Sequence, residues 1–126
     1  MHFLLFRMNN LDTHRVWTTL TYESLVASSP DRSLNLITGF FTAPIDGTYF
    51  FHAHASSWDQ NIDISIRKNF HPMSYAYDHT DHYVGTISTS LVLELSRNDV
   101  IDVTLLSHLV DGSIDGRTEF SGYLLE

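Results

Sequence analysis

Most of this sequence consists of short segments in which an apolar residue recurs at every second position. The segment IDISIRK (62–68) alternates isoleucine with polar residues, and VIDVTL (100–105) and EFSGYL (119–124) alternate in the same way. Period two is the pattern of a β-strand that buries one of its faces. No window shows the 3.6-residue period of a capped helix. The pattern therefore predicts an all-β chain.

Turn-forming residues separate these segments, as in SSPDRS, APIDG, SSWDQN, SRND and LVDGSIDGR. Short strands joined by polar turns at regular spacing are typical of a sandwich of two antiparallel sheets. The strands are expected over residues 2–8, 16–26 with an interruption, 36–43, 47–56, 61–68, 72–77, 85–95, 99–107 and 118–125. With 126 residues and a hydrophobic fraction of 43%, the chain is expected to form a single domain over residues 1–126.

Composition excludes several classes of function. Seven Lys and Arg residues face 15 Asp and Glu residues, which gives a formal charge of −8. Such a surface repels phosphate backbones, so we expect no nucleic-acid partner, whereas divalent cations are compatible. The absence of cysteine excludes disulfides and thiolate zinc sites. No apolar run approaches the 18 or more residues of a membrane span, and the opening MHFLLFRMNN is interpreted as a first strand.

The segment TGFFTAPIDGTYFFHAHA (38–55) places aromatic residues on both faces of predicted strands, at Phe40, Phe41, Tyr49, Phe50 and Phe51. Burying one large aromatic side chain is worth roughly 1.5–3 kcal/mol, so two such faces call for two dry environments. One of them is the space between the sheets. The other is either a second copy of the chain, which would make the protein an oligomer, or a loop of the same chain.

Four stretches in the same order resemble the globular head domain of the complement C1q family: FTAPIDGTYFF, IRKN, STSLVLELSRNDVIDVTL and EFSGYLLE. The family signature is a Phe, then five intervening residues, then G-x-Y-x-F, and this sequence supplies Phe41, Gly47, Tyr49 and Phe51. The closing Ser-Gly-aromatic-Leu-Leu pattern is present at 121–125. The resemblance covers nearly the whole chain.

The upstream Asn or Asp of the family pattern is Ser29 here, its upstream Phe is not obvious, and two later sites also depart from the pattern. Ala53 replaces the last aromatic residue of the signature, and Arg97-Asn98-Asp99 replaces the usual Pro-Gly-Asp before a late strand. Asn98 is expected to adopt the left-handed turn conformation, which asparagine tolerates better than most residues. None of these departures conflicts with the fold.

The resemblance implies a ten-stranded jelly-roll sandwich of two antiparallel sheets, similar to tumour necrosis factor ligands. It also implies a homotrimer and a secreted, extracellular recognition module without enzymatic activity. On this basis the core and the trimer interface are predicted to be formed by Phe41, Tyr49, Phe50, Phe51, Phe120 and Tyr123.

Successive loops of an antiparallel sandwich alternate between its two ends, so SSWDQN, the loop near 78–85 and LVDGSIDGR should emerge at one end. An indole ring stacks on the apolar face of a pyranose, and amides and carboxylates bind neighbouring hydroxyls. This end therefore predicts a lectin-like site for glycans or microbial polysaccharides. The predicted ligand-binding residues are Trp58, Asp59, Gln60, Asn61, His79, His82, Tyr83 and Asp111. The alternative for Trp58 alone is a loop residue that covers the core or contacts a subunit.

The segment YDHTDHY (77–83) is the candidate metal site. Asp78 and Asp81 lie three residues apart, and two carboxylates with nearby carbonyls can bind Ca²⁺. In the family that this chain resembles, the equivalent loop begins with a calcium-binding Asp, which Asp78 matches, although Gly85 stands where other members add a ligand. His79 and His82 leave a transition-metal site open, and a solvated acidic loop without any ion is the third alternative.

No constellation typical of an enzyme is present. There is no G-x-S-x-G, no H-E-x-x-H and no Gly-rich loop leading into a helix. Glu94 and Asp102 alternate with apolar neighbours and are expected to face solvent. The leading hypothesis is a trimeric, lectin-like pattern-recognition module of innate immunity. The alternative is a protein ligand, an adhesion protein or an extracellular matrix component.

Overall fold

Strands account for most of the computed structural model, which describes residues 3–7, 18–20, 24–27, 33–35, 37–57, 62–78, 85–106 and 119–125. The described strands are β1 (Phe3–Arg7), β2 (Thr18–Thr19), β3 (Ser24–Ala27), β4 (Phe41–Thr42), β5 (Gly47–Ser57), β6 (Ile62–Lys68), β7 (His71–Asp78), β8 (Gly85–Leu95), β9 (Val100–Leu105) and β10 (Glu119–Leu124). The described part of the chain contains no helix that could cross a membrane.

The strands form two antiparallel sheets. The first sheet has the order β3-β1-β10-β5-β8; the second has the order β2-β9-β6-β7, with β4 also paired to β9. Several neighbouring strands, such as β10 and β5 or β2 and β9, are distant in sequence, as in a jelly roll. The predicted all-β sandwich is confirmed. Successive residues point to opposite faces of a strand, so each sheet contributes every second side chain to the space between them.

Aromatic rings fill much of that space. Phe41, Tyr49, Phe51 and Phe120 are each at most 1% exposed. Phe41 meets Tyr49 and Phe51 edge-on at 5.8 and 5.3 Å between ring centroids, and Phe51 stacks on Phe120 at 5.8 Å. The buried Tyr49 hydroxyl donates a hydrogen bond to the Ile45 carbonyl oxygen at 2.8 Å. These four predicted residues therefore lie in the core of a single chain.

The strand predicted over 36–43 is shorter in the structure, because a turn occupies residues before β4. The Asn35 side-chain oxygen accepts the backbone N–H groups of Ile37 and Thr38 at 2.9 and 3.2 Å. Gly39 closes the turn with φ +79°, where a Cβ would stand 2.0 Å from the Leu20 carbonyl oxygen. This turn directs the Phe40 side chain onto the Phe70 ring, at 5.7 Å and 87°. A residue of the same chain thus contacts this outward-facing aromatic ring.

At the turn between β8 and β9, Asn98 has φ 76°. The expected left-handed conformation is confirmed. It allows the Asn98 N–H to donate to the Ala43 carbonyl at 2.9 Å, while the Asp99 carbonyl accepts from the Ala43 N–H at 2.9 Å. The departure from the family's Pro-Gly pattern therefore leaves the turn intact.

Glu94 is exposed as expected, but the expectation that Asp102 faces solvent is wrong, since Asp102 is 1% exposed. Its carboxylate accepts two hydrogen bonds from Arg67, from Nε at 3.0 Å and from the terminal nitrogen at 2.6 Å. The hydroxyls of Thr19 and Thr104 also donate to it, at 2.7 and 3.1 Å. The alternation is correct, but an ion pair with a residue 35 positions away makes burial of the charge acceptable.

Replacing Arg67 with Met should lower the free energy of unfolding by about 3–5 kcal/mol, because it leaves the buried Asp102 charge without its partner. The control is Lys68→Met, which removes the exposed ion pair of Lys68 with Asp99 at 3.9 Å and should cost less than about 1 kcal/mol. Urea denaturation at one fixed protein concentration measures both. Equal losses for the two variants would contradict the role given to the buried pair.

Candidate functional site

The ends of five strands converge at one end of the sandwich, which we call the loop end. Ser57, the last residue of β5, pairs with Gly85, the first residue of β8. In the second sheet, Ile62 of β6 pairs with Asp78 of β7, and the Leu106 N–H beyond β9 donates to the Asp63 carbonyl at 2.8 Å. The segments 58–61, 79–84 and 107–118 therefore all leave the strands at this end, as the alternation of loops predicted.

Most of the predicted ligand residues belong to those segments. Nine residues lie outside the described part of the chain: Trp58, Asp59, Gln60, Asn61, His79, Asp81, His82, Tyr83 and Asp111. Asp78 is placed by its backbone at the last position of β7. No group of three or more metal-ligating side chains occurs within the described ranges. The glycan and calcium residues therefore remain predictions, whereas the strand ends that carry them are positioned.

The opposite end of the sandwich is closed by backbone turns that bind each other. The Asp99 carboxylate accepts hydrogen bonds from the Asn69 side-chain amide at 3.1 Å and from the Ser96 N–H at 2.8 Å. These bonds, the Asn69 bond foremost, lower the pKa of Asp99 although partial burial opposes the shift. Asp46 similarly accepts the Arg97 N–H at 2.6 Å. The carboxylates of Asp46 and Asp99 therefore join turns to one another.

The outward side of the first sheet carries an apolar patch, which we call the outer aromatic face and define as Phe50, Val92 and Tyr123. Register places Phe50 of β5 between Tyr123 of β10 and Val92 of β8. The Phe50 and Tyr123 rings lie 5.1 Å apart, and both side chains are half-buried. Val92 is 56% exposed. Of the six predicted core and interface residues, Phe50 and Tyr123 are thus the two on the outside of the sandwich.

The outward side of β5 becomes polar toward the loop end. His52 pairs with Ser121 and Ser90, and His54 pairs with Glu119 and Ser88. Both histidines are half-buried. The outward side of the first sheet is therefore apolar around Phe50, and it carries polar side chains in the two cross-strand rows of His52 and His54.

A second surface, on the outward side of the other sheet, was missed from the sequence. Asp63, Tyr75, Ala76, Tyr77 and Leu106 line an open cleft of about 560 Å³ near the loop end, which we call the tyrosine cleft. The signal for it was present in β7, where large residues alternate with the small Ser74 and Ala76. Period two alone does not show which of the two sets faces the core.

Comparison with known proteins identifies similar chains. The sequence model of the C1q domain matches residues 3–125. The collagen alpha-1(X) chain of Mus musculus is 30% identical over 91 residues, which are 69% of this chain and 13% of that protein. The chain therefore spans only a small part of the length of this relative.

Solved structures show the same fold at low sequence identity. The globular domain of zebrafish complement 1qA protein has a TM-score of 0.86 at 19% identity, over 100% of this chain and 98% of that one. Murine APRIL has a TM-score of 0.78 at 12% identity, over 98% of both chains. The Eiger TNF of S. frugiperda has a TM-score of 0.75 at 12% identity, over 98% of this chain and 92% of that one.

Proposed function

The chain belongs to the C1q domain family, and on that premise we propose that it is a secreted, non-enzymatic recognition module that binds glycans as a homotrimer. The observation that carries the proposal is the outer aromatic face, which one copy of the chain leaves partly in contact with water. The proposed targets of the protein are microbial surface polysaccharides, and binding them would give the protein a role in innate immunity.

Trimerisation is supported by the chemistry of the outer aromatic face. Phe50, Tyr123 and Val92 are contiguous across three strands, and Val92 alone is 56% exposed. An apolar patch on a regular sheet face is typical of an interface. Three copies arranged around one axis bury the patch of every copy and leave no open contact, because a cyclic assembly is closed.

Glycan binding is supported by the convergence of strand ends at the loop end. Three copies around one axis would carry their loop ends in the same direction. A single sugar site is weak, but three sites that engage one target together raise avidity by roughly 10²–10⁴. The loop residues proposed to contact sugar are Trp58, Asp59, Gln60, Asn61, His79, His82, Tyr83 and Asp111.

Charge determines which glycans are compatible. A formal charge of −8 repels anionic polysaccharides unless a cation lies between the two partners. Asp78 and Asp81 offer hard oxygen ligands of the kind that Ca²⁺ prefers. We therefore propose that neutral glycans bind without calcium and that anionic ones bind only when calcium links them to the loop end.

The second candidate is a component of the extracellular matrix or a ligand for a protein receptor. The observation that favours it is the 30% identity with a collagen chain. A competition experiment with free sugars distinguishes the two candidates, because binding to a protein partner persists in their presence. Glycan binding is displaced by them.

Retention on immobilised polysaccharides, with calcium and with a chelator, tests the glycan proposal. We expect retention on a neutral polysaccharide such as mannan under both conditions, and on polygalacturonate only with calcium. The double variant Asp78→Ala/Asp81→Ala should lose the calcium-dependent retention and keep the oligomeric mass of the parent protein. If the parent protein binds none of the polysaccharides, with calcium or without it, the proposed function is refuted.

Replacing Val92 with Glu tests the interface. The side chain is largely in water in one copy, so the fold should tolerate a carboxylate, whereas an apolar interface around an axis would bring three carboxylates together without solvent. We expect Val92→Glu to sediment at the chain mass of 14.4 kDa and Val92→Thr to sediment as the parent trimer. A Val92→Glu protein with the parent mass would exclude this face as the interface.

A further inference from the structure

We propose that the tyrosine cleft binds an uncharged pyranose of a surface glycan, with Tyr75 and Tyr77 as the stacking residues and Asp63 as the hydrogen-bond acceptor. This inference rests on the proposed glycan-binding function, and it adds to that function a site on described residues. The cleft belongs to the second sheet and shares no residue with the loops predicted from the sequence.

The two tyrosines form a platform. They are two positions apart in β7, so both project from the same side of the sheet, with about 6.5 Å between their backbone positions. Tyr75 is 61% exposed and Tyr77 is 70% exposed. Ala76, between them, packs against the core from the other side of the strand. The small Ala76 side chain thus occupies the inward position, and the two tyrosine rings lie on the outward side of the sheet.

Cross-strand pairing brings a carboxylate to the same surface. Asp63 of β6 is opposite Tyr77, and side chains at such paired positions are separated by about 4.5–5.5 Å at Cβ. The Leu106 N–H bond to the Asp63 carbonyl, at 2.8 Å, fixes Leu106 beside them. A carboxylate has about four lone-pair sites, so Asp63 can accept sugar hydroxyls alongside bonds within the chain.

The size and lining of the cleft fit a sugar. Its volume of about 560 Å³ lies within the range of roughly 300–1,000 Å³ that is usual for small-molecule sites. An aromatic and aliphatic lining with one acceptor matches a pyranose, which presents C–H groups on a face and hydroxyl donors at its edge. Asp63 and the charge of −8 disfavour uronic and sialic acids, so the matching sugar is uncharged.

Aromatic residues also bind quaternary ammonium groups, but such sites surround the cation. Tyr75 and Tyr77 stand in a row along one strand, and the cleft is open. A row of rings suits an extended oligosaccharide better than a compact cation. Choline therefore serves as the discriminating probe.

Position in the assembly supports the same assignment. The outer aromatic face is on the first sheet, whereas the tyrosine cleft is on the outward side of the second sheet. A trimer formed through the first sheet therefore leaves the three clefts accessible from outside. Asp63 and Tyr77 are each one residue from the strand ends at which the loop end begins, so the cleft adjoins that end of the sandwich.

Affinity measurements on three variants test the proposal, with mannotetraose, chitotetraose and cellotetraose as probes and nuclear magnetic resonance titration as readout. Tyr75→Ala/Tyr77→Ala removes both stacking rings and should weaken the binding of the preferred tetrasaccharide at least about tenfold, since the loss of even one stacking contact is of that size. Tyr75→Phe/Tyr77→Phe keeps both rings and should retain most of the affinity. Phe70→Ala removes a ring that is 56% exposed next to the opposite end of β7. This variant should leave the affinity for the tetrasaccharides unchanged.

The outcomes separate the site from the function. If the double alanine variant binds the tetrasaccharides and immobilised mannan as the parent does, the cleft proposal is wrong and the proposed function stands on the loops alone. If the parent protein is retained on mannan but binds none of the three tetrasaccharides, the cleft proposal is also overturned. If the parent protein binds no polysaccharide at all, both fail. Binding of choline in place of every sugar overturns the cleft proposal as well.

Discussion

Successive side chains of a β-strand point to opposite sides of its sheet, so the aromatic run of β5 has to be accommodated in two places. Tyr49 and Phe51 enter the space between the sheets, where they pack with Phe41 and Phe120. Phe50, between them, faces outward and contacts the Tyr123 ring at 5.1 Å. The inward residues hold one chain together. The outward residue makes an association between chains favourable, and the proposed trimer follows from it.

The two sheets treat their outward sides differently. The first sheet presents apolar side chains around Phe50 and histidines nearer the loop end. The middle of the second sheet buries Asp102 with Arg67 and two threonine hydroxyls, so a paired charge and not an apolar patch lies on that outward side. Its margin, in β7, exposes tyrosines instead. The two proposals accordingly differ by sheet: association of chains is proposed for the outward side of the first sheet, and ligand contact for that of the second.

The sequence predicted the features that depend on neighbouring residues. Alternation located β5, β6, β8 and β10 closely, and the conformation of Asn98 followed from residue type alone. The resemblance to a known family supplied the jelly-roll arrangement of two sheets, which alternation cannot give because it contains no information about which strands pair. The convergence of strand ends at the loop end then followed from chain direction.

The errors arose where distant residues decide. Asp102 alternates outward, yet it is buried because Arg67 reaches it from another strand. Phe40 was predicted to lie in a strand. In the structure it follows the turn that begins at Asn35, and its ring packs against the Phe70 ring. The tyrosine cleft escaped notice because large residues on one side of β7 were compatible with either face. In each case the pattern gave the correct periodicity, but residues distant in sequence determine whether the side chain is buried.

The central claim is that one copy of this chain exposes more apolar sheet surface than it can bury and that three copies bury the remainder. Sedimentation velocity of the unmodified protein, from low to high micromolar concentration, tests this most directly. The account predicts one species at three times the chain mass of 14.4 kDa over the whole range. A folded species of a single chain at every concentration would contradict it.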